Sequence, residues 1–380
     1  MQKWQWIAAA LSASIVSFSF YQTGEQPDIS KLRTLYGSGD ASKWPAPELH
    51  ELAKPGFQDI GHLPAVVHPA DNPTNPEKVA LGKMLFFDPR LSSSGQIACA
   101  SCHDPQLGWG DGKRVAFGHD RKLGKRNAMP ILNTAFYQKL FWDGRAHSLE
   151  DQARQPVMDK LEMHENLQVM EKRVQQYAGY KPLFKKAFGD ESIDLTKIFK
   201  AIASFERTIV SPSSRFDLFI DGKQDAMTDQ EVWGLHLFRT KAGCINCHNS
   251  GLFADNKFHN DGQTLFASAN EDLGLYNVTK NPADVGKFKT PSLREVTHTG
   301  PWMHHGNFPT LKDVLFLYNL GNPAPLPRSY KGDRDSILPS TSPMLKKLNL
   351  SNAEIDAVIA FLGSISTTPR RLNPPQDFPQ

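Results

Sequence analysis

Apolar positions along the chain recur at helical spacing far more often than they alternate. Ile198, Ile202, Phe205 and Ile209 mark one face of a helix predicted from about residue 194 to 210. Ile355, Val358, Ile359 and Leu362 mark another, begun by Ser351 with Glu354 and ended by Gly363. Asn75 reads as an N-cap with Pro76 at the first helical position, and Thr228 with Glu231 as a capping box. Thr310 and Asp313 begin a helix through Leu320 that Gly321 ends. Ser148 and Asp151 resemble a capping box before residues 152–157, where Pro156 should stop the helix early. Long strand patterns are absent from the sequence, so the fold class predicted is mainly α.

A weak internal repeat divides the chain. Gly82-Lys83-Met84-Leu85-Phe86 and Gly234-Leu235-His236-Leu237-Phe238 each look like the end of a helix before a loop, as in a duplicated domain. The predicted division is 65–225 and 226–366, with the boundary near 221–229. Residues 22–64, rich in Pro, Gly and Asp, read as an extended N-terminal arm. Residues 321–343 read as a Pro/Ser/Gly loop, and the tail 367–380 as poorly ordered.

Composition changes the picture in two ways. A chain of 380 residues, 39% hydrophobic and 22% charged, suits two soluble domains with real cores. A net charge of +3, without a basic run interleaved with aromatics, argues against nucleic acid as a partner. Glycine and proline at 27 each point to a loop-rich protein whose interior is organised by more than secondary structure. At the N-terminus, Lys3 and the charge-free run over residues 7–21 read as an export signal (residues 1–21). The run is short for a membrane span, which needs about 20 apolar residues. No clear cleavage site follows it, so a tether through an uncleaved segment stays open.

The four cysteines carry the chemistry. They form Cys99-Ala100-Ser101-Cys102-His103 and Cys244-Ile245-Asn246-Cys247-His248. Both read as c-type haem attachment, in which two thiols bond the haem vinyls and the adjacent histidine ligates iron. A four-cysteine zinc site, a redox pair or disulfides would use the same pairs. None of these needs a histidine directly after the second cysteine in both copies. Two covalent haems are therefore expected, in two cytochrome c-like domains in tandem, and attachment outside the cytoplasm agrees with export to the periplasm.

Several stretches resemble the bacterial dihaem cytochrome c peroxidases, a family that also includes MauG. They are Leu81-Gly82-Lys83-Met84-Leu85-Phe86-Phe87-Asp88-Pro89-Arg90-Leu91-Ser92, Arg126-Asn127-Ala128-Met129-Pro130, Phe141-Trp142-Asp143-Gly144-Arg145-Ala146 and Thr290-Pro291-Ser292-Leu293-Arg294. The resemblance spans roughly residues 65–365. It implies that the haem on His103 reacts with peroxide and that Glu162 handles protons during O–O cleavage. It places Gln152 and Pro156 in the same distal pocket and His119 as the distal ligand of that iron at rest. Trp142 would lie between the haems. Asn127, with the backbone carbonyls of Thr299 and Pro301, would hold a calcium ion. A buried carboxyl can serve as the proton shuttle if burial raises its pKa.

One departure matters. The resemblance implies a methionine as the distal ligand of the second haem, on His248, but Tyr318 stands at that position, as in the MauG branch. Phe258-His259-Asn260-Asp261-Gly262 also looks more like that branch. Met303 is the chief alternative ligand, with His304, His305 and Met344 behind it. A phenolate favours ferric iron and lowers the potential. His119 thus suggests a peroxidase that must be half-reduced, whereas Tyr318 suggests reaction in the diferric state. The leading expectation is a peroxidase fed by a small exported cytochrome or copper protein. A MauG-like oxidase of a partner protein's side chains comes second and a non-catalytic electron-transfer cytochrome third. Glu162 and Gln152 argue against the last. Relatives often work as dimers, which leaves a homodimer open.

Overall fold

Caps decide where most elements start. In the computed structural model, which describes residues 27–328, 330–368 and 372–380, Asp28 opens α1 (Ile29–Tyr36) by accepting from the Lys31 amide. Asn75 and Pro76 open α2 (Pro76–Phe87) as predicted. Ser148 caps α3 (Leu149–Met158), Asn166 caps α4 (Leu167–Gln176), and α5 (Tyr180–Phe188) follows Gly179. Asp194 caps α6 (Leu195–Glu206). Capping boxes begin α7 (Arg215–Ile220), through Ser214 and Asp217, and α8 (Asp229–Arg239), through Thr228 and Glu231. After the single turn of α9 (Tyr276–Thr279) come α10 (Leu311–Asn319), capped by Thr310, and α11 (Asn352–Ser364), with Ser351 and Glu354 as its box. Each side-chain cap satisfies an amide the helix leaves open and contributes about 1 kcal/mol. The one sheet among the described residues is the antiparallel pair β1 (Phe258–Asn260) and β2 (Lys287–Lys289), so the protein is mainly helical. The export run over residues 7–21 lies outside the described residues.

Two helix crossings organise the interior, and they are copies of one another. A Cβ on Gly82 of α2 would sit 1.9 Å from the Ala201 carbonyl oxygen and 2.9 Å from Phe205 Cβ on α6. A Cβ on Gly234 of α8 would sit 1.9 Å from the Ala357 carbonyl oxygen and 2.8 Å from Phe361 Cβ on α11. Only glycine allows these backbones to touch. Beside each crossing stands an aromatic triad. Phe86, Trp109 and Phe205 meet at 5.3–6.1 Å, and Phe238, Phe253 and Phe361 at 5.2–6.2 Å. The five-residue repeat seen in the sequence is thus a repeat of packing.

The first core gathers apolar faces of α2 to α6, and the second those of α1, α7, α8 and α11. Several expectations change as a result. The arm over 22–64 is not simply extended: α1 buries Leu32 and Tyr36 in the second core, followed by Trp44 and Ile60. Arg239, 1% exposed, pins the arm by donating to Tyr36 Oη, the Pro45 carbonyl and Asp59. The handover between cores comes before α7, not at 221–229, because Phe216 packs on Phe253 and Phe361 at 5.4 and 5.8 Å. The described tail is also not loose. Leu372 packs on the first core, the Pro379 carbonyl accepts from Arg90, and the Gln380 carbonyl accepts from the Gly179 amide at 2.7 Å.

Three helix ends move by a few residues. α3 runs two residues past Pro156, since a proline in the last turn leaves only the Gln152 carbonyl without its amide. α6 stops at Glu206, where the Thr208 and Ile209 amides close a tight turn onto Phe205 and Glu206. α11 passes Gly363, whose added Cβ would meet nothing and which has no need to end it.

Candidate functional site

Both Cys-x-x-Cys-His segments make the same turn. Cys99–Ser101 and Cys244–Asn246 are single 3-10 turns, in which the second cysteine and the histidine donate their amides to the first cysteine's carbonyl. His103 Nδ1 then lies 3.1 Å from the Trp109 carbonyl and His248 Nδ1 3.0 Å from the Phe253 carbonyl. A donating Nδ1–H fixes the tautomer and leaves Nε2 as a lone-pair donor for a metal. Burial depresses both histidine pKa values and so keeps the rings neutral. All four cysteines are unbridged, and the two pairs belong to different cores, which rules out one shared four-cysteine zinc site. Two thiols, a neutral imidazole and an aromatic-lined interior fit covalent haem at each turn.

Near the first turn lies Glu162. Burial, helped by Asp159 and opposed by Arg145, pushes its pKa up to about 7, and its charge bears on both Cys99 and Cys102. The His119 amide donates to the Glu162 carbonyl at 2.7 Å, so the loop carrying His119 is tied to the turn carrying the acid. A Cβ on Gly118 would lie 1.8 Å from the Leu161 carbonyl oxygen, which makes that approach possible only for glycine. The His119 ring itself is held by protein: Nδ1 is 3.3 Å from Ser93 Oγ, Nε2 is 3.3 Å from Asp120, and His164 packs edge-on at 4.7 Å. One of those nitrogens must be released before the ring can bind iron. Gln152 sits half-buried on α3, one turn before Pro156.

Sequence reasoning missed a second acid here. Glu206, 4% exposed on α6, has Oε2 without a hydrogen-bond partner, and burial pushes its pKa up to about 8. Its charge also bears on Cys99. The signal was available, since Glu206 falls four residues after Ile202 on the helix's apolar face.

Tyr318 of α10 lies close to the second turn. Burial drives its phenol pKa far up, with further pressure from Asp261, Cys247 and Cys244, which sets the hydroxyl among the second attachment residues. Asp261 is itself buried, with its pKa raised to about 6. Met303 instead lies in a turn closed by the Gly306 amide, next to His304, and Met344 in the loop after Ser342. Cys247, Asp255 and His259 bring ligand atoms within 4.8 Å of one another. With Cys247 in a thioether, what remains there is the 2.7 Å His259–Asp255 pair.

Trp142 joins the halves. Its indole N–H donates to the Asn127 carbonyl at 3.0 Å, its own carbonyl accepts from the Lys289 amide, and its ring meets His304 edge-on at 6.3 Å. His304 stacks on Phe288 at 3.6 Å and leans on His305, and burial holds the two rings near pKa 3 and 4. Arg126 clamps the same seam between Asp143 and Asp272, both at 2.6 Å. The Asn127 amide group donates to the Lys113 carbonyl, which turns its oxygen the other way, and the Asn127 backbone amide donates to the His304 carbonyl. Among the described residues the Thr299 and Pro301 carbonyls accept no hydrogen bond.

Comparison with known proteins gives a consistent result. The family described as di-haem cytochrome c peroxidase (CCP_MauG) matches residues 76–225. The cytochrome-c peroxidase IdrP1 of Pseudomonas sp. (strain SCT) is 39% identical over 336 residues, covering 81% of this chain and 85% of the relative. The methylamine utilization protein MauG of Methylorubrum extorquens is 39% identical over 329 residues, covering 84% and 88%. Among solved structures, a MauG-like protein associated with microbial copper homeostasis matches with a TM-score of 0.71 at 30% identity, over 80% of this chain and 93% of that one.

Proposed function

The chain belongs to the di-haem cytochrome c peroxidase and MauG family, and we propose that it reduces hydrogen peroxide to water with electrons from a small exported cytochrome or copper protein. It is an oxidoreductase that uses peroxide as acceptor. In this reading residues 65–225 and 226–366 are tandem cytochrome c-like units, with the handover moved ahead of α7, and each holds one covalent haem. The haems supply an iron that binds peroxide and a second centre that stores an electron.

One observation carries the proposal: a carboxyl with a pKa near 7, Glu162, bears on both cysteines of the first attachment turn, whereas the raised acid of the second half, Asp261, bears on the Tyr318 phenol. Glu162 takes the proton from the bound peroxide oxygen and returns it to the leaving oxygen, which departs as water. An acid of pKa near 7 does both at neutral pH. Trp142, wedged between the Asn127 carbonyl and the His304 ring, gives electrons a short aromatic route between the halves. Asn127, with the free carbonyls of Thr299 and Pro301, would hold a calcium ion that braces this seam. Oxygen-only ligands of this kind suit that ion.

A second reading rests on Tyr318. A phenol buried among Cys244, Cys247 and Asp261 suits a ferric second haem and MauG-like oxidation of a partner protein. One experiment separates the two. Hydrogen peroxide is mixed with fully oxidised and with one-electron-reduced protein while the visible and near-infrared spectra are followed. Reaction of the half-reduced sample alone supports the peroxidase. Rapid, persistent change in the oxidised sample supports the MauG-like enzyme, and silence in both leaves an electron-transfer cytochrome.

A further inference from the structure

One buried base in the seam between the halves has no oxygen to bond. Lys289 ends β2 at 2% exposure, and its Nζ meets no hydrogen-bond partner among the described residues. The other buried bases among those residues are all supplied. Arg239 pairs with Asp59, Arg294 with Asp217 and Arg207 with Glu150, while Lys78 donates to Asn72 and to the Pro73 carbonyl. What Lys289 does meet is the face of Tyr137, with Nζ 3.1 Å from the ring centroid. That face offsets part of the cost of burying a charge, but it supplies no oxygen for the three ammonium protons. Tyr137 is no anion either, because burial holds its phenol protonated against a single amide donor, Ser292 at 2.6 Å.

The backbone brings this side chain to the second attachment turn and to Trp142 at once. β2 pairs with β1, the first strand after that turn, and the Thr290 amide donates to the Lys257 carbonyl at 3.0 Å. The Pro291 carbonyl then bears on the buried His248. The Lys289 amide donates to the Trp142 carbonyl at 2.8 Å, and alternation along the strand sends Phe288 the other way, onto His304. A haem brings two carboxylates of its own into a protein, its propionates. We propose that Lys289 binds a propionate of the second haem, so that the carboxylate edge of that group is held against the Trp142 backbone. A buried ammonium keeps its charge only when it is paired and hydrogen-bonded, and burial alone pushes the Lys289 pKa far down. The pairing also reaches the iron: a cation fixed on a propionate favours the ferrous state, against the pull of a phenolate from Tyr318. The inference needs the covalent haem and is the same for the peroxidase and the MauG-like enzyme.

Two measurements on the holoprotein test this. A crystal structure of the wild-type chain should place Lys289 Nζ about 2.7–3.2 Å from a propionate oxygen of the second haem. Spectroelectrochemical titration, with resonance Raman spectra of the propionate bending modes, then compares Lys289→Met and Lys289→Arg with wild type. The Met variant keeps the bulk of the side chain without its charge, so the potential of the second haem alone should fall and a propionate band should shift. The Arg variant keeps the charge and should hold both close to wild type. Nζ facing a propionate of the first haem, an inorganic anion or only water would overturn the proposal. So would a Met variant whose second haem keeps its potential and its propionate band. An Arg variant that falls as far as the Met variant would assign the shift to packing and overturn the pairing as well. The crystal structure uses the unaltered chain and decides the matter even where the Met variant does not fold. Wild-type protein that shows the bond from Lys289 to the propionate but is inert to peroxide would sink the proposed function and leave this pairing standing.

Discussion

At the glycine crossings and the attachment turns the two halves share the same contacts, and around those turns they part company. Gly82 and Gly234 meet Ala201 and Ala357 at the same distance, and the same histidine Nδ1 contact follows each turn. Matching Phe205 to Phe361 puts Glu206 opposite Leu362, two side chains equally buried at 4%. The first half then adds Glu162, an acid near neutral pKa, while the second adds Tyr318, a phenol that burial keeps far from ionising unaided. The shared part solves a packing problem, that of bringing two helix backbones into contact next to each attachment turn. The part that differs sets an acid of near-neutral pKa beside one turn and a phenol beside the other.

The largest expected effect breaks this difference. Glu162→Gln keeps the size of the side chain but cannot exchange a proton, so the second-order rate with peroxide should fall about 10²- to 10⁴-fold. Asp261→Asn, the corresponding loss of a buried acid in the second half, should leave that rate within a few-fold. Equal losses in both variants would mean that burial of an acid near haem, not its place at the first centre, is what matters. Stopped-flow mixing of the half-reduced variants measures both.

Next in size is the pH profile. Glu162 must be ionised to accept the first proton, so the rate should rise with pH and level off above about 7, where burial has placed its pKa. The Gln variant should lose that rise. A wild-type profile flat from pH 5 to 8 would assign the proton to another group, and Glu206, at about 8, would be the next to examine.

A third substitution makes the second half resemble the peroxidase branch. Tyr318→Met exchanges the proposed phenolate ligand, which would favour ferric iron, for a neutral thioether, so the second haem's potential should rise by on the order of 0.1 V or more. An unchanged potential in a spectroelectrochemical titration would remove Tyr318 from the iron and return attention to Met303.

How much of this could be read from the sequence depends on how local the signal is. Caps such as Asn75 and Thr228, and the two cysteine–histidine turns, are written within a few residues and appear where expected. The arm was misread because Pro and Gly mask α1, whose Leu32 and Tyr36 acquire a partner only across some two hundred residues. The tail differs for the same reason, since its partners Gly179 and Arg90 lie some two hundred to three hundred residues earlier in the chain. Glu162 and Tyr318 stand out only through family resemblance, and the fold brings each close to an attachment turn. Glu206 needed the helix face to be read for what does not belong on it.

The smallest expected effect tests whether Glu206 belongs to the chemistry or only burdens the fold. Burial raises its pKa in the folded chain to about 8 from an ordinary 4.5, so its contribution to stability is fully present below pH 4.5 and lost as pH rises through 8. Within that window each pH unit costs at most about 1.4 kcal/mol. Glu206→Leu copies the second half, where Leu362 fills the same place, and should remove the loss. The melting temperature of the variant should match wild type near pH 5 and exceed it by several degrees at pH 8 to 9, with both haems still attached. Parallel melting curves across that range would show that the carboxyl finds a partner in the folded holoprotein. A stabilised variant with slowed peroxide turnover would show instead that the first half keeps an acid at a leucine's position for its chemistry, at the expense of its own stability.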